Sequence, residues 1–312
     1  MSGRWATARQ YGTVLALAGL SAALWALTPH FLTVSNLVNV AEQTSINAIV
    51  AVGMTYVIVS GGIDLSVGSI VALSGVVLGV ALQGGLAPPF AIALALGAGI
   101  ACGLLNGALV SVGRLPPFIV TLGTMSIARG AALMITEGRP VSGFEPGFRA
   151  IATGDVMGLP APIVATILVY LVAHAVLTRT TFGRYVYAIG GNEEATRLSG
   201  VAVRRHKAIV YGVSGLASAL AAVLLTARLN SAQPIAGMMY ELDAIAATVI
   251  GGTSLTGGQG TLAGTLVGAL IMGVLRNGLN LLGVSSFLQQ IVIGAVIIGA
   301  VLVDTILKRH RN

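Results

Sequence analysis

The chain has 312 residues, 55% of them hydrophobic and only 9% charged, where roughly a quarter charged is usual for soluble domains. A mean hydropathy of +0.92 excludes a water-soluble fold and predicts an all-α polytopic membrane protein. The formal charge of +7 comes from basic residues clustered between apolar runs, the bias of cytoplasmic loops rather than a nucleic-acid face, so no nucleic acid is expected as a partner.

In chain order, Arg4 and Arg9 precede a first apolar run at 11–28, which lacks an Ala-x-Ala-like cleavage site and is read as an uncleaved helix. Further runs follow at 37–59, 67–82, 90–112, 118–135, 162–178, 208–228, 242–250, 261–282 and 287–307. About ten transmembrane helices of ~20 residues leave room for a single transmembrane domain over 1–312 and nothing sizeable outside it. Ten crossings put both basic ends on one side, the cytoplasmic one, and make membrane lipid the main solvent. Six crossings return the chain inside at 179–207, where Arg179, Arg184, Arg197, Arg204, Arg205 and Lys207 oppose only Glu193 and Glu194. The loop 136–160, with Glu137, Glu145 and Asp155 against Arg139 and Arg149, then lies outside. The single cysteine, Cys102, excludes an internal disulfide.

Glycines break two of the runs. Gly61-Gly62-Ile63-Asp64-Leu65-Ser66-Val67-Gly68 and Gly251-Gly252-Thr253-Ser254-Leu255-Thr256-Gly257-Gly258 share Gly-Gly-x-x-Leu-[Ser/Thr]-x-Gly. Downstream, Asn106-Gly107 is echoed, with gaps, by Asn277-Gly278. This reads as a degenerate internal repeat. Paired Gly-broken segments expose helix ends and point to a translocation route through Gly61, Gly62, Asp64, Ser66, Gly251, Gly252, Ser254 and Thr256; the alternative is close helix packing. Asp64, read as the one candidate intramembrane acid, either flanks the route or, with Ser66, caps the next helix. Gln43, Thr44, Ser45 and Asn47 form a polar stripe on the second run, with Gln43 and Asn47 taken as route residues. Arg129 and Arg276 are expected to snorkel to an interface and His174 to be interfacial. Gly257-Gly258-Gln259-Gly260 lacks the Gly-Lys-[Ser/Thr] of a nucleotide loop, and the spacing offers no metal or hydrolytic centre.

The inner loop holds Asn192-Glu193-Glu194-Ala195-Thr196-Arg197-Leu198-Ser199-Gly200. Asn192 is a good N-cap, the two glutamates suit a first turn, and Gly200 is a natural stop, so a short helix is predicted outside the bilayer with Ala195 and Leu198 on one face. It either rests on headgroups or docks a cytosolic partner.

At this loop, together with Ser45-Ile46-Asn47-Ala48, Gly62-Ile63-Asp64-Leu65-Ser66 and Tyr240-Glu241-Leu242-Asp243, the chain resembles the permease subunits of bacterial monosaccharide ATP-binding-cassette importers. The resemblance implies a sugar cargo, ribose first, with other pentoses, hexoses or furanosyl signalling sugars as alternatives. It implies a second copy or a similar permease as partner, a periplasmic sugar-binding protein, and a cytosolic ATP-binding subunit that holds ATP and Mg, this chain being no enzyme and binding no cofactor itself. Residues Asn192 to Gly200 match the coupling loop of the family. Arg139, Arg149 and Arg228 are assigned to docking of the binding protein. An ion-coupled secondary carrier is the alternative class; it needs intramembrane acids paired with a proton or sodium route, for which only Asp64 is a candidate.

Overall fold

The computed structural model describes residues 2–309, with side chains over 12–302. Thirteen helices form among them: α1 (Ser2–Leu27), α2 (Val34–Val59), α3 (Val67–Gln83), α4 (Pro88–Ser111), α5 (Pro117–Thr136), α6 (Pro146–Thr153), α7 (Ala161–Arg179), α8 (Thr181–Gly191), α9 (Glu193–Leu198), α10 (Val203–Leu229), α11 (Tyr240–Ile250), α12 (Leu262–Leu281) and α13 (Ser286–Arg309). Each predicted run coincides with one of them, and the chain is a multi-pass membrane protein. Five helices among the described residues, α4, α5, α7, α10 and α12, are long and apolar enough to cross a bilayer by length and composition. The first half of α2 carries the polar stripe, which lowers its hydropathy without shortening it.

α10 is the hub, packed on α4, α2 and α3. Two-thirds of its most apolar window is buried, against 22% for α7, so α7 turns most of its surface outward. Close approach of α4 and α10 follows from Gly99, Gly103 and Gly107, which the i, i+4 spacing stacks on one face. A Cβ at Gly103 would lie 2.2 Å from the Tyr211 carbonyl oxygen.

The end carrying 179–207 is designated inner, by its charge. At the outer end the 136–160 loop is ordered rather than open: β1 (Val141–Ser142) pairs antiparallel with β4 (Ser231–Ala232), and β2 (Asp155–Val156) with β3 (Leu159–Pro160). Phe148, buried on α6, packs edge-to-face on Phe144, and Phe144 donates its N–H to Asn230 Oδ1 at 2.9 Å.

The eighth predicted span is a half-span. α11 has 11 residues, about 16 Å of helix against a core of ~30 Å. Gly237, just before it, abuts the backbone of Gly68 at the start of α3. The start of α3 is tied in turn to Ser214, the twelfth residue of α10. α3 and α11 therefore both begin partway through the bundle, with the non-helical segment 231–239 covering the outer part of that crossing.

Candidate functional site

Both glycine joints are built as helix stops. At the end of α2, Gly61 N–H bonds Ile58 O and Gly62 N–H bonds Val57 O; at the end of α11, Gly252 N–H bonds Val249 O and Thr253 N–H bonds Thr248 O, all at 2.9 Å. This is the Schellman arrangement with a left-handed residue after the cap, here Gly61 (φ 81°) and Gly252 (φ 92°). The structural equivalent of Gly61 is thus Gly252, one residue later than the sequence match suggests. The Asn-Gly echo is not equivalent either. Asn106 lies near the inner end of α4, two helices past the first joint, whereas Asn277 lies near the outer end of α12, one helix past the second, exchanging hydrogen bonds with Asn36 at 3.0 and 2.8 Å.

The two joints meet. Gly258 N–H donates to Val59 O at 2.8 Å, and Tyr187 Oη on α8 donates to Gly260 O at 2.7 Å. Gly190 of α8 is wedged between them: a Cβ there would lie 1.8 Å from Val59 O and 2.6 Å from Gly258 N. Within the joints Gly61 and Thr256 are exposed, Gly62, Gly251 and Ser254 are buried, and Gly252 is half-buried. Ser254 Oγ and Thr256 Oγ1 share a hydrogen bond at 2.8 Å.

Asp64 reaches no opening in this chain. It is fully buried, as are Ser66, Asn106 and Ser214. Its Oδ1 accepts from Ser66 N–H (3.0 Å) and Ser66 Oγ (2.6 Å), and its Oδ2 from Ser214 Oγ (2.7 Å). Asn106 Nδ2 donates to Ser66 Oγ at 2.9 Å, and Thr124 Oγ1 to Asn106 Oδ1. Ser66 stands at the N-cap of α3, but its hydroxyl makes no cap bond, being turned to Asp64 instead. The cluster ties α3, α4, α5 and α10 together, and each buried polar group finds a partner.

The inner helix forms as its caps dictate. Asn192 Oδ1 accepts from Ala195 N–H at 2.9 Å, and Gly200 (φ 84°) closes α9. Thr196 is buried and anchors it, while Ala195 and Leu198 point outward, Leu198 being 75% exposed. Glu194 pairs with Arg197, and Glu193 with Lys207 at 2.6 Å. The Arg197 guanidinium, hydrogen-bonded to Glu194, holds that exposed carboxyl below its ordinary value.

A polar cleft lies between α2, α11 and α12, lined by Gln43, Thr44, Asn47, Asp243, Met272, Gly273 and Arg276 among others. Gln43 and Asn47 come together here as expected of one stripe; Ser45, on the other side of α2, does not. Asp243 is a second intramembrane acid, where only Asp64 was expected. Arg276 does not snorkel: one of its guanidinium nitrogens, Nη2, donates to both oxygens of Asp243, at 2.7 Å each. Arg129 does not snorkel either, its Nη1 donating to Pro234 O (2.8 Å) and Ala236 O (2.7 Å). The sequence reading missed the Asp243–Arg276 pair; opposite charges in two separate apolar runs, each costly alone, are the signal that could have found it. At the outer end Arg139 and Arg149 are exposed, whereas Arg228 is engaged with Glu42 at 3.3 Å.

The family described as the branched-chain amino acid transport system permease component matches residues 36–301. The ribose import permease of Escherichia coli (strain K12) is 50% identical over 296 residues, 94% of this chain and 92% of that one. The ribose import permease of Bacillus subtilis (strain 168) is 48% identical over 280 residues, 89% of this chain and 87% of the other. The D-allose transport system permease of Escherichia coli (strain K12) is 40% identical over 303 residues, covering 96% and 93%. No solved structure matches significantly.

Proposed function

This chain belongs to the family of branched-chain amino acid transport system permease components, and from that membership we propose that it is the membrane-spanning subunit of an ATP-driven importer for a monosaccharide, ribose. The relatives named for ribose share about half their residues with it over nearly the whole chain, and the one named for allose 40%. It sits in the inner membrane with both termini cytoplasmic. A cytosolic subunit binds ATP and Mg and hydrolyses the nucleotide; a periplasmic protein delivers the sugar; a second copy or a similar permease completes the path.

The observation that carries this reading is α9, a capped helix presenting Ala195 and Leu198 outward while its base, Gly190 on α8, is wedged against both glycine joints. A push on α9 reaches Val59 and Gly258 through backbone contacts rather than through flexible side chains. Those joints end α2 and precede α12, which wall the polar cleft, so docking and closure of the ATPase bias the cleft between two arrangements. Residues 192–200 are the coupling element, and the joints are the moving parts of the route.

The test is uptake of labelled ribose into vesicles containing this chain, the ATPase and the binding protein. Uptake requires internal ATP and survives collapse of ion gradients. Uptake driven by an ion gradient without ATP overturns the reading in favour of a secondary carrier.

A further inference from the structure

Two atoms at the cleft are out of balance. Thr44 Oγ1 and Asn47 Oδ1 are buried and lack any hydrogen-bond partner, and Thr44 as a whole is only 4% exposed. Buried polar groups are nearly always satisfied, so such atoms mark a place where something else bonds. We propose that the cleft between α2, α11 and α12 is a transit subsite for a neutral polyhydroxylated ring, with Asp243 and Arg276 as its floor and Thr44, Asn47 and Gln43 as its wall. The inference rests on the proposed function and names the place where the sugar touches this chain.

The chemistry of the donor set selects the ligand. Asp243 and Arg276 cancel each other's charge, and the next pair along α2, Glu42 with Arg228, does the same. A balanced site gives a lone cation or anion no net attraction. A sugar hydroxyl both donates and accepts. It finds acceptors in Asn47 Oδ1 and Asp243, and donors in the guanidinium, of which only Nη2 holds Asp243. Asn47 Nδ2 reaches Asp243 Oδ2 at only 3.3 Å, a weak bond that an incoming hydroxyl replaces without loss.

A larger cavity lies on the other side of α2, about 200 Å³ between α2, α7 and α12, but its chemistry is wrong for a sugar. Thr44 borders both cavities; the other polar side chains of the larger one are turned back to the protein: Ser45 Oγ donates to Ala41 O, Thr166 Oγ1 to Pro162 O and Tyr170 Oη to Ala48 O. What remains is aliphatic surface suited to an acyl chain. The polar cleft holds only about 30 Å³, about the volume of one water. It is therefore shut here, and its narrow point is Gly273, where a Cβ would strike Thr44 Oγ1. Separation of α12 from α2 at this contact opens it. Weak, brief binding in such a place suits transit, since tight holding slows release.

The test uses the full importer in vesicles, with wild-type ribose uptake measured first. Asn47→Leu is similar in volume and removes both the free acceptor and the contact with Asp243. Its complex is expected to assemble and to hydrolyse ATP in response to the binding protein, while ribose uptake falls at least tenfold. In a Cys102→Ala background, Gln43→Cys is expected to react with a neutral water-soluble maleimide, and ribose turnover is expected to slow that reaction severalfold. Uptake by Asn47→Leu within twofold of wild type, or labelling of Gln43→Cys indifferent to ribose, overturns the subsite and leaves the permease function standing. If Asn47→Leu fails to assemble, the protection of Gln43→Cys decides alone. A wild-type importer that moves no ribose refutes the proposed function, and with it the ligand assigned here.

Discussion

Replacing Gly190 with alanine tests whether the inner helices are rigidly geared to the two joints. The added Cβ would sit 1.8 Å from Val59 O, so α8 and the end of α2 have to separate. Overpacking of this kind costs about 1–3 kcal/mol. Val59 O is also the acceptor for Gly258 N–H, and losing that bond adds about 0.5–1.5 kcal/mol. The sum, about 1.5–4.5 kcal/mol, shifts the balance between conformers that keep this contact and those that lose it by roughly 10- to 2,000-fold. Purified Gly190→Ala is expected to melt about 5–10 °C below wild type, and in the reconstituted importer to consume more ATP per sugar moved. Gly191→Ala is the matched control, because a Cβ there meets nothing within 4 Å. Should Gly190→Ala melt within a degree of Gly191→Ala and keep the same ratio of ATP to sugar, the gearing argument is refuted.

Other consequences follow from the same geometry. The double substitution Ala195→Glu/Leu198→Glu charges the outward face of α9 without touching its buried anchor Thr196; it is expected to weaken ATPase association at least thirtyfold, the loss of one hot-spot contact of about 2 kcal/mol, with membrane insertion unchanged by fractionation. Glu194 has a carboxyl lowered from 4.5 by its bond to Arg197. The pairing is therefore at full strength above pH 4.5 and is lost only as pH falls through the depressed value, so the protection of α9 amides relative to their intrinsic exchange rate is constant down to pH 4.5 and decreases below it, whereas Glu194→Gln lacks this decrease. Arg139→Glu/Arg149→Glu, two exposed positions at the outer end, is expected to slow association of the binding protein severalfold at low salt and to match wild type near 1 M, where screening acts over ~3 Å. Rates independent of salt in both proteins defeat that assignment.

Much of the molecule was legible because the signals are local. A run that avoids charge for 20 residues is forced into helix by the bilayer wherever its partners lie, and α9 is bounded by Asn192 and Gly200, whose caps act within one turn. The glycine joints were visible for the same reason, yet their register was not. Which glycine takes the left-handed position depends on where the preceding helix stops, and α11 runs one residue further relative to the motif than α2 does.

The amino-acid order alone located ten apolar helices of a membrane-embedded bundle and the short capped helix α9, while α6 and α8 emerged only with the structure. Only the packed structure decided what its buried charges do. Asp64 is held by a serine 150 positions away and Asp243 by an arginine 33 positions away, and whether a carboxylate in a bilayer is locked inside a bundle or left beside a cleft depends on which helices converge around it. That convergence is set by small residues allowing backbones to touch, a property of pairs of helices that no single stretch of chain contains.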